Sequence, residues 1–355
     1  MPNKISNTGQ KDSDRTRPYP PSFLDRFMRF IQRLPLPYGL TYLILFILQS
    51  ILLHALSWID GWLPLFTFDK ILLLFPMWLW GPMAIITYLN STAETALSAF
   101  SPLLDIEENE IKSLKYQFTT MPNKGLIISS VFWLIFYVIA IVGTYANPAT
   151  NFGFSRSFLP INYGIGMISF CIGSAIYYHS VRQLVLVNRT VGMVRQFNLF
   201  QLDPIYALSR LTSRTGISWM ALMVFTLLIF PIQVALGISL IILIIQVILA
   251  SAAFLLPLQK VHNRLMAQKR LLISKLNCRV ESTFERLHQN IDNNQLIEGD
   301  LLNNVLAGLK MEHDFLKSLP TWPWRPGTLT SFLSALVLPV ILLLIQLIIQ
   351  QWFGG

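Results

Sequence analysis

Charged side chains are scarce in this chain. Of its 355 residues 13% are Asp, Glu, Lys or Arg and 53% are hydrophobic, whereas soluble proteins carry roughly 25% charged residues. The mean hydropathy is +0.53. With 24 Phe and 9 Trp, so little charge excludes a disordered chain, because such a sequence collapses in water. A polytopic membrane protein is the class that remains. Cysteine is scarce as well. Cys171 and Cys278 are the only two, far apart and outside any Cys-x-x-Cys or Cys/His cluster. Neither a disulfide framework nor a zinc centre is expected.

Catalytic signatures are missing too. The chain has no Walker loop, no Gly-x-Ser-x-Gly elbow and no His-Glu-x-x-His, each of which places reacting groups by its spacing. His54, His179, His262, His288 and His313 are scattered. His54 and His179 fall at opposite ends of their spans, so they are not expected to share a metal. The stretch Tyr177–Ser180 reads as an interfacial aromatic belt. The Asn90 and Asn188 glycosylation patterns lie on the expected cytoplasmic side and are chance matches. No predicted span holds an acidic or basic residue away from its ends, which removes the usual proton relays and ion-coupling groups. Glu94 is read as an ordinary helix-end residue. A non-enzymatic protein is expected, with no catalytic residue, no metal and no cofactor.

What is present is long apolar segments. About 20 apolar residues in a helix cross a bilayer. Segments 38–58, 71–92, 125–146 and 159–181 meet this length, and so does 328–353. Residues 216–257 run for 42 positions without a charge. One span does not use so many, so a hairpin of spans 216–230 and 232–257 is predicted, turning near Pro231. The fold class is therefore all-α, with seven transmembrane helices.

Positive charge is sorted by side. Of 27 Lys and Arg, 25 lie before span one or after spans two, four and six, and only Lys70 and Arg156 lie in the alternate loops. The positive-inside rule puts the N-terminus in the cytoplasm and the C-terminus outside. The formal charge of +9 is thereby explained by the lipid bilayer, and no nucleic-acid partner is expected. Residues 1–20 form a polar tail, too long before the first apolar run for a cleaved signal peptide. Residues 21–34 set Phe23, Phe27, Phe30 and Ile31 against Arg26, Arg29 and Arg33, as in a helix lying along the membrane surface.

The cytoplasmic connections are long and helical. After the sixth span, apolar residues from Leu258 through Leu272, Leu276, Val280, Phe284 and Leu287 to Ile291 recur every three or four positions, or a multiple. A second stripe runs Ile297, Leu301, Val305, Leu309 and Leu316. Two antiparallel helices, a hairpin over 258–319, are predicted. Pro320, Pro323 and Pro326 then break the helix. Trp322 and Trp324 suit headgroup depth and Arg325 suits a lipid phosphate, so 320–327 reads as an interfacial elbow.

The uncharged polar residues of the spans are Gln49, Asn162, Gln233, Gln246, Gln346 and Gln350. Most such groups bind neighbouring helices. Gln346 and Gln350, one turn apart on one face of the last span, are pore-lining candidates. The alternatives of interhelical glue and interfacial fringe stay open.

This layout resembles the insect odorant and gustatory receptor superfamily of ligand-gated cation channels. The helical "MEHDFLKSL", the break "PTWPWRPG" and the apolar "TLTSFLSALVLPVILLLIQL" parallel that family's last helix, which is split into a cytoplasmic and a pore-lining half. The gustatory signature of Thr-Tyr, an apolar run and Gln-Phe is matched only by the run and Gln346, since Pro339, Val340 and Leu347 replace its other members. The resemblance implies a plasma-membrane homo-oligomer of four subunits around a pore, without implying its selectivity. A membrane scaffold docking a partner through its cytoplasmic helices is the alternative, with a small-solute or lipid transporter behind it.

Overall fold

A computed structural model of the chain describes residues 17–146, 160–195, 197–229, 232–293 and 296–353. The expected turn at Pro231, the loop after the third span and most of the N-terminal tail lie outside the described residues. Those described form α-helices, short 3-10 turns and connecting loops, with no strand. In order the helices are α1 (Phe23–Gln32), α2 (Tyr38–Ile59), α3 (Leu74–Phe100), α4 (Glu108–Thr119), α5 (Asn123–Ala146) and α6 (Pro160–Gly173). They continue with α7 (Ala175–Met193), α8 (Asp203–Ile229), α9 (Ile232–Asp292), α10 (Leu296–Ser318) and α11 (Pro326–Phe353). Seven helical stretches are long and apolar enough to cross a membrane. Each overlaps one of the seven predicted segments, and together they fit a multi-pass membrane protein.

Several helices outrun the predicted spans at the end of the bundle where α2 begins, here called the proximal end. α3 continues past Thr92 to Phe100, and α8 starts at Asp203, well before Gly216. α9 runs unbroken for 61 residues, about 90 Å at 1.5 Å per residue and three times a ~30 Å hydrocarbon core. Its second half pairs with α10 in an antiparallel hairpin, which brings Lys269 beside Lys317 and Leu319.

The middle of the bundle is α3 and α8. Half of the apolar window of α3 and 61% of that of α8 are buried, against 11% for the stretch containing α5 and 17% for α11. One buried cluster gathers Leu53, Phe75, Ile86, Ile176 and Trp219. A second, proximal cluster joins Leu97 and Phe100 of α3 to Phe118, Val187, Leu208 and Val261. A third packs Leu343 of α11 on Met220, Leu227 and Leu243.

Two glycines permit close backbone crossings. A Cβ on Gly173 would stand 2.0 Å from the Trp78 carbonyl oxygen, and one on Gly216 would stand 3.0 Å from the Ala250 carbonyl oxygen. Such small residues let backbones meet where lipid gives no hydrophobic drive to association. The predicted fourth span is broken beside Gly173. Ser174 separates α6 from α7, and its hydroxyl donates to the Cys171 carbonyl at 2.7 Å. Several other hydroxyls in the spans are satisfied one turn back in their own helix, as Ser50 is by Phe46 and Thr87 by Met83, whereas Ser130 donates across to the Cys171 carbonyl at 3.0 Å.

The amphipathic N-terminal helix is α1. Ser22 and Asp25 form a capping box, satisfying orphan donors at its start. Leu24, Met28 and Ile31 are buried against the bundle, while Phe23, Phe27 and Phe30 are exposed. Ile31 thus faces inward, away from the phenylalanines with which the sequence grouped it.

Candidate functional site

The strongest sequence candidates lie on α11 and the elbow before it. α10 stops at Ser318 and α11 opens at Pro326, a first-turn position where a proline's missing N–H goes unneeded. Between them the aromatics form a ladder. His262 of α9 stacks on Trp322 at 3.9 Å, Trp322 on Trp324 at 4.5 Å, and Trp324 meets Phe254 at 5.1 Å. Phe254 in turn meets Phe332 of α11 at 4.5 Å. Lys269 donates to the carbonyls of Lys317 and Leu319, both at 2.7 Å, which stops α10 with a cation at its negative end. Arg325, expected at a lipid phosphate, pairs within the chain with Asp203 at 2.5 Å and lies over the Tyr206 ring. This exposed pair contributes about 0.2–1 kcal/mol.

Two glutamines of the spans find partners on other helices. The Trp80 indole donates to Gln49 at 2.6 Å, and the Gln346 amide donates to the Leu227 carbonyl at 3.2 Å. Gln346 is therefore turned toward α8 within one chain. The side chains of Gln350, Asn162 and Gln233 lie outside the described residues. The outward face of α11 is aliphatic, with Val337, Ile341, Leu344 and Ile348 exposed.

The hairpin stripe is present but rotated. Leu276 is buried, Leu272 and Val280 are half-buried, and the line then passes through Thr283 to Leu287. Phe284 is 46% exposed. Repeated steps of four drift by about 40° on a 3.6-residue helix, so the buried line returns by a step of three before reaching Phe284. Ile291 is exposed for the same reason. On α10 the inward side is Leu302, Leu306, Leu309 and Leu316, which leaves Leu301 68% exposed and Val305 on the outside. Met311, 75% exposed, extends this outer apolar surface.

A buried polar assembly escaped the sequence reading. The carbonyls of Gln117, Phe118, Thr119 and the C-cap Thr120, at the end of α4, have no backbone donor within the helix, yet each receives a side chain from elsewhere. Arg182 of α7 donates to Gln117 and, at 2.8 Å, to Thr120. Gln183 donates to Phe118 at 2.8 Å and Asn90 of α3 to Thr119 at 3.2 Å. The Tyr19 hydroxyl adds a bond to Thr120 at 2.8 Å and itself accepts from Arg182. Burial pushes the Tyr19 phenol up to about 12, against the pull of the Arg182 guanidinium. Asn90 Oδ1 accepts from His179 Nε2 at 2.6 Å, which fixes the imidazole proton on Nε2. His179 and Ser180 are fully buried, so this stretch is an interior joint, and the aromatic-belt reading is corrected.

The same joint holds α1. Asp25 Oδ2 accepts from the Ser22 N–H, the Ser22 hydroxyl and the Met121 N–H at 2.6–3.0 Å. Ser22 N–H returns a bond to the Met121 carbonyl at 3.2 Å. Burial raises the Asp25 pKa despite these donors. The arrangement offers rigid positioning.

Both cysteines are free thiols. Among the described residues no group of three or more His, Cys, Asp or Glu could hold a metal ion. Neither a family model, nor a curated protein, nor a solved structure matches this chain.

Proposed function

We propose that the chain is one subunit of an oligomeric ion channel with a chemoreceptor-like layout. The observation that carries this reading is the exposed aliphatic face of the last helix, Val337, Ile341, Leu344 and Ile348. Only 17% of the apolar window of α11 is buried within the chain, and Gln346 fixes its rotation by holding one side to α8. The opposite side is free to face neighbouring copies around a common axis. In this reading the charge asymmetry orients the assembly with the N-terminus and the hairpin in the cytoplasm and the C-terminus outside, and the plasma membrane is the location that the resemblance implies.

A specific observation favours a second reading. Phe284, Leu301 and Met311 are exposed on the hairpin, beyond the reach of lipid in this topology, as a scaffold that docks a partner protein requires. Mass measurement in detergent, combined with ion flux into reconstituted vesicles, separates the two. A tetramer that conducts is the expected result. A monomer in silent vesicles overturns the channel and leaves the scaffold.

A further inference from the structure

A groove of about 350 Å³ runs between α3 and α8 beneath the start of α2. Its walls follow from helical periodicity. Tyr88, Ser91 and Thr95 share one face of α3, Arg210 and Arg214 lie one turn apart on α8, and Tyr38 closes one end. Arg214 is fixed in place: its guanidinium donates to the Thr92 hydroxyl at 3.1 Å and lies 5.3 Å over the Tyr88 ring. Arg210 is exposed. Neither arginine is paired with a carboxylate among the described residues. Asp203 also lines the groove, but Arg325 holds it at 2.5 Å. The groove therefore keeps two uncompensated positive charges beside phenol and alcohol hydroxyls.

Its depth is readable from the flanking sequence. The charge-free run of α8 begins at Gly216, just beyond Arg214, and α2 begins its apolar run at Tyr38. Beyond Tyr38 the exposed residues of α2 are aliphatic, Leu40, Leu43 and Ile44. A ligand seated here would meet cations and hydroxyls at one end and hydrocarbon at the other.

We propose that this groove binds a phosphate group, supplied by the headgroup of an anionic phospholipid on the proximal side of the bilayer. Two guanidiniums a turn apart suit phosphate oxygens, and basic pockets between membrane helices have this chemistry. The inference rests on the membrane reading of the seven helices and is independent of whether the assembly conducts.

The test is thermal melting of the full chain in detergent, titrated with phosphatidic acid, phosphatidylcholine or inorganic phosphate. Phosphatidic acid should stabilise the wild type at lower concentration than phosphatidylcholine. Arg210→Gln should raise that concentration about fivefold, the worth of one basic residue near a lipid surface. Arg210→Lys should recover most of the loss, and Arg286→Gln on the distant hairpin should leave it unchanged. Arg210 has no side-chain partner among the described residues, so its replacement leaves the fold intact. Equal stabilisation by inorganic phosphate would keep the phosphate site and make the free ion its source. No preference over phosphatidylcholine, or equal effects of Arg210→Gln and Arg286→Gln, would overturn the site. Lipid binding by a monomer in silent vesicles would reject the channel and keep the groove.

Discussion

At the end of α4 the carbonyls of Gln117, Phe118, Thr119 and Thr120 are met by Arg182, Gln183, Asn90 and Tyr19. Along the membrane run of α11, by contrast, Gln346 is the side chain that reaches another helix by a hydrogen bond among the described residues. The first region closes its orphan backbone acceptors within one chain and buries its apolar side chains, although Asp25 Oδ1, His179 Nδ1, Ser180 Oγ and Gln183 Oε1 are buried there without a hydrogen-bond partner among the described residues. The second presents an aliphatic face and an exposed hairpin surface. Two kinds of surface in one molecule teach which parts are built for self-sufficiency and which for company.

The contrast is open to attack at matched positions. Gly173 and Gly327 give the largest expected difference. A Cβ at Gly173 runs into the Trp78 backbone, whereas nothing lies within 4 Å of one at Gly327. Gly173→Ala should therefore abolish monodisperse protein or cost more than the ~1–3 kcal/mol of ordinary overpacking, and Gly327→Ala should melt as wild type. Similar melting of both variants would show that the α3–α6 crossing adapts.

Arg182→Ala comes next. It strips a cation from two carbonyls, and hydrogen bonds to charged groups contribute about 1.5–3 kcal/mol. Gln346→Leu removes one neutral bond, about 1 kcal/mol, and in the channel reading it should alter conductance more than melting. A larger melting loss for Gln346→Leu would reverse the comparison.

On the hairpin, Leu276→Asp buries an unpaired carboxylate at several kcal/mol and should lower the melting temperature of the single chain. Phe284→Asp should leave melting near wild type and weaken oligomers, while Lys275→Asp should do neither. Intact oligomers with Phe284→Asp would mean that this face is not where copies meet.

The smallest effect is a pH dependence at Asp25. Burial raises its pKa above the ordinary 3.8, so the folded chain holds a proton that the unfolded chain has released. Stability from this group is greatest below the unfolded value and declines as pH rises toward the folded one. The melting temperature of the wild type relative to Asp25→Asn should fall over that window. A rise would show that the three hydrogen bonds outweigh burial.

The long apolar helices and the helix break before the last of them were legible because they rest on composition over 20 residues and on proline's missing donor, both local properties. The hairpin was legible as a hairpin, but the choice between Thr283 and Phe284 depends on how rotation accumulates along α9. The α4 joint was hidden for another reason. Asn90 looked like a chance glycosylation match and His179 like a surface aromatic's neighbour, because their partners are backbone carbonyls, and any residue supplies one. Gln183 carried a faint signal, a polar side chain one turn after His179 among Leu184, Leu186 and Val187.

Tyr19 and Arg182 meet across 163 positions of sequence. Loop closure over such a distance adds little entropy beyond that of a shorter loop, so the cost is mainly one of order in time. α4 is synthesised early, yet its last carbonyls stay open to water until α7 has been made and placed beside α3. The N-terminal arm, which seats on the same joint, waits with them. The first described segment to leave the ribosome is thus held back until the fourth span has arrived.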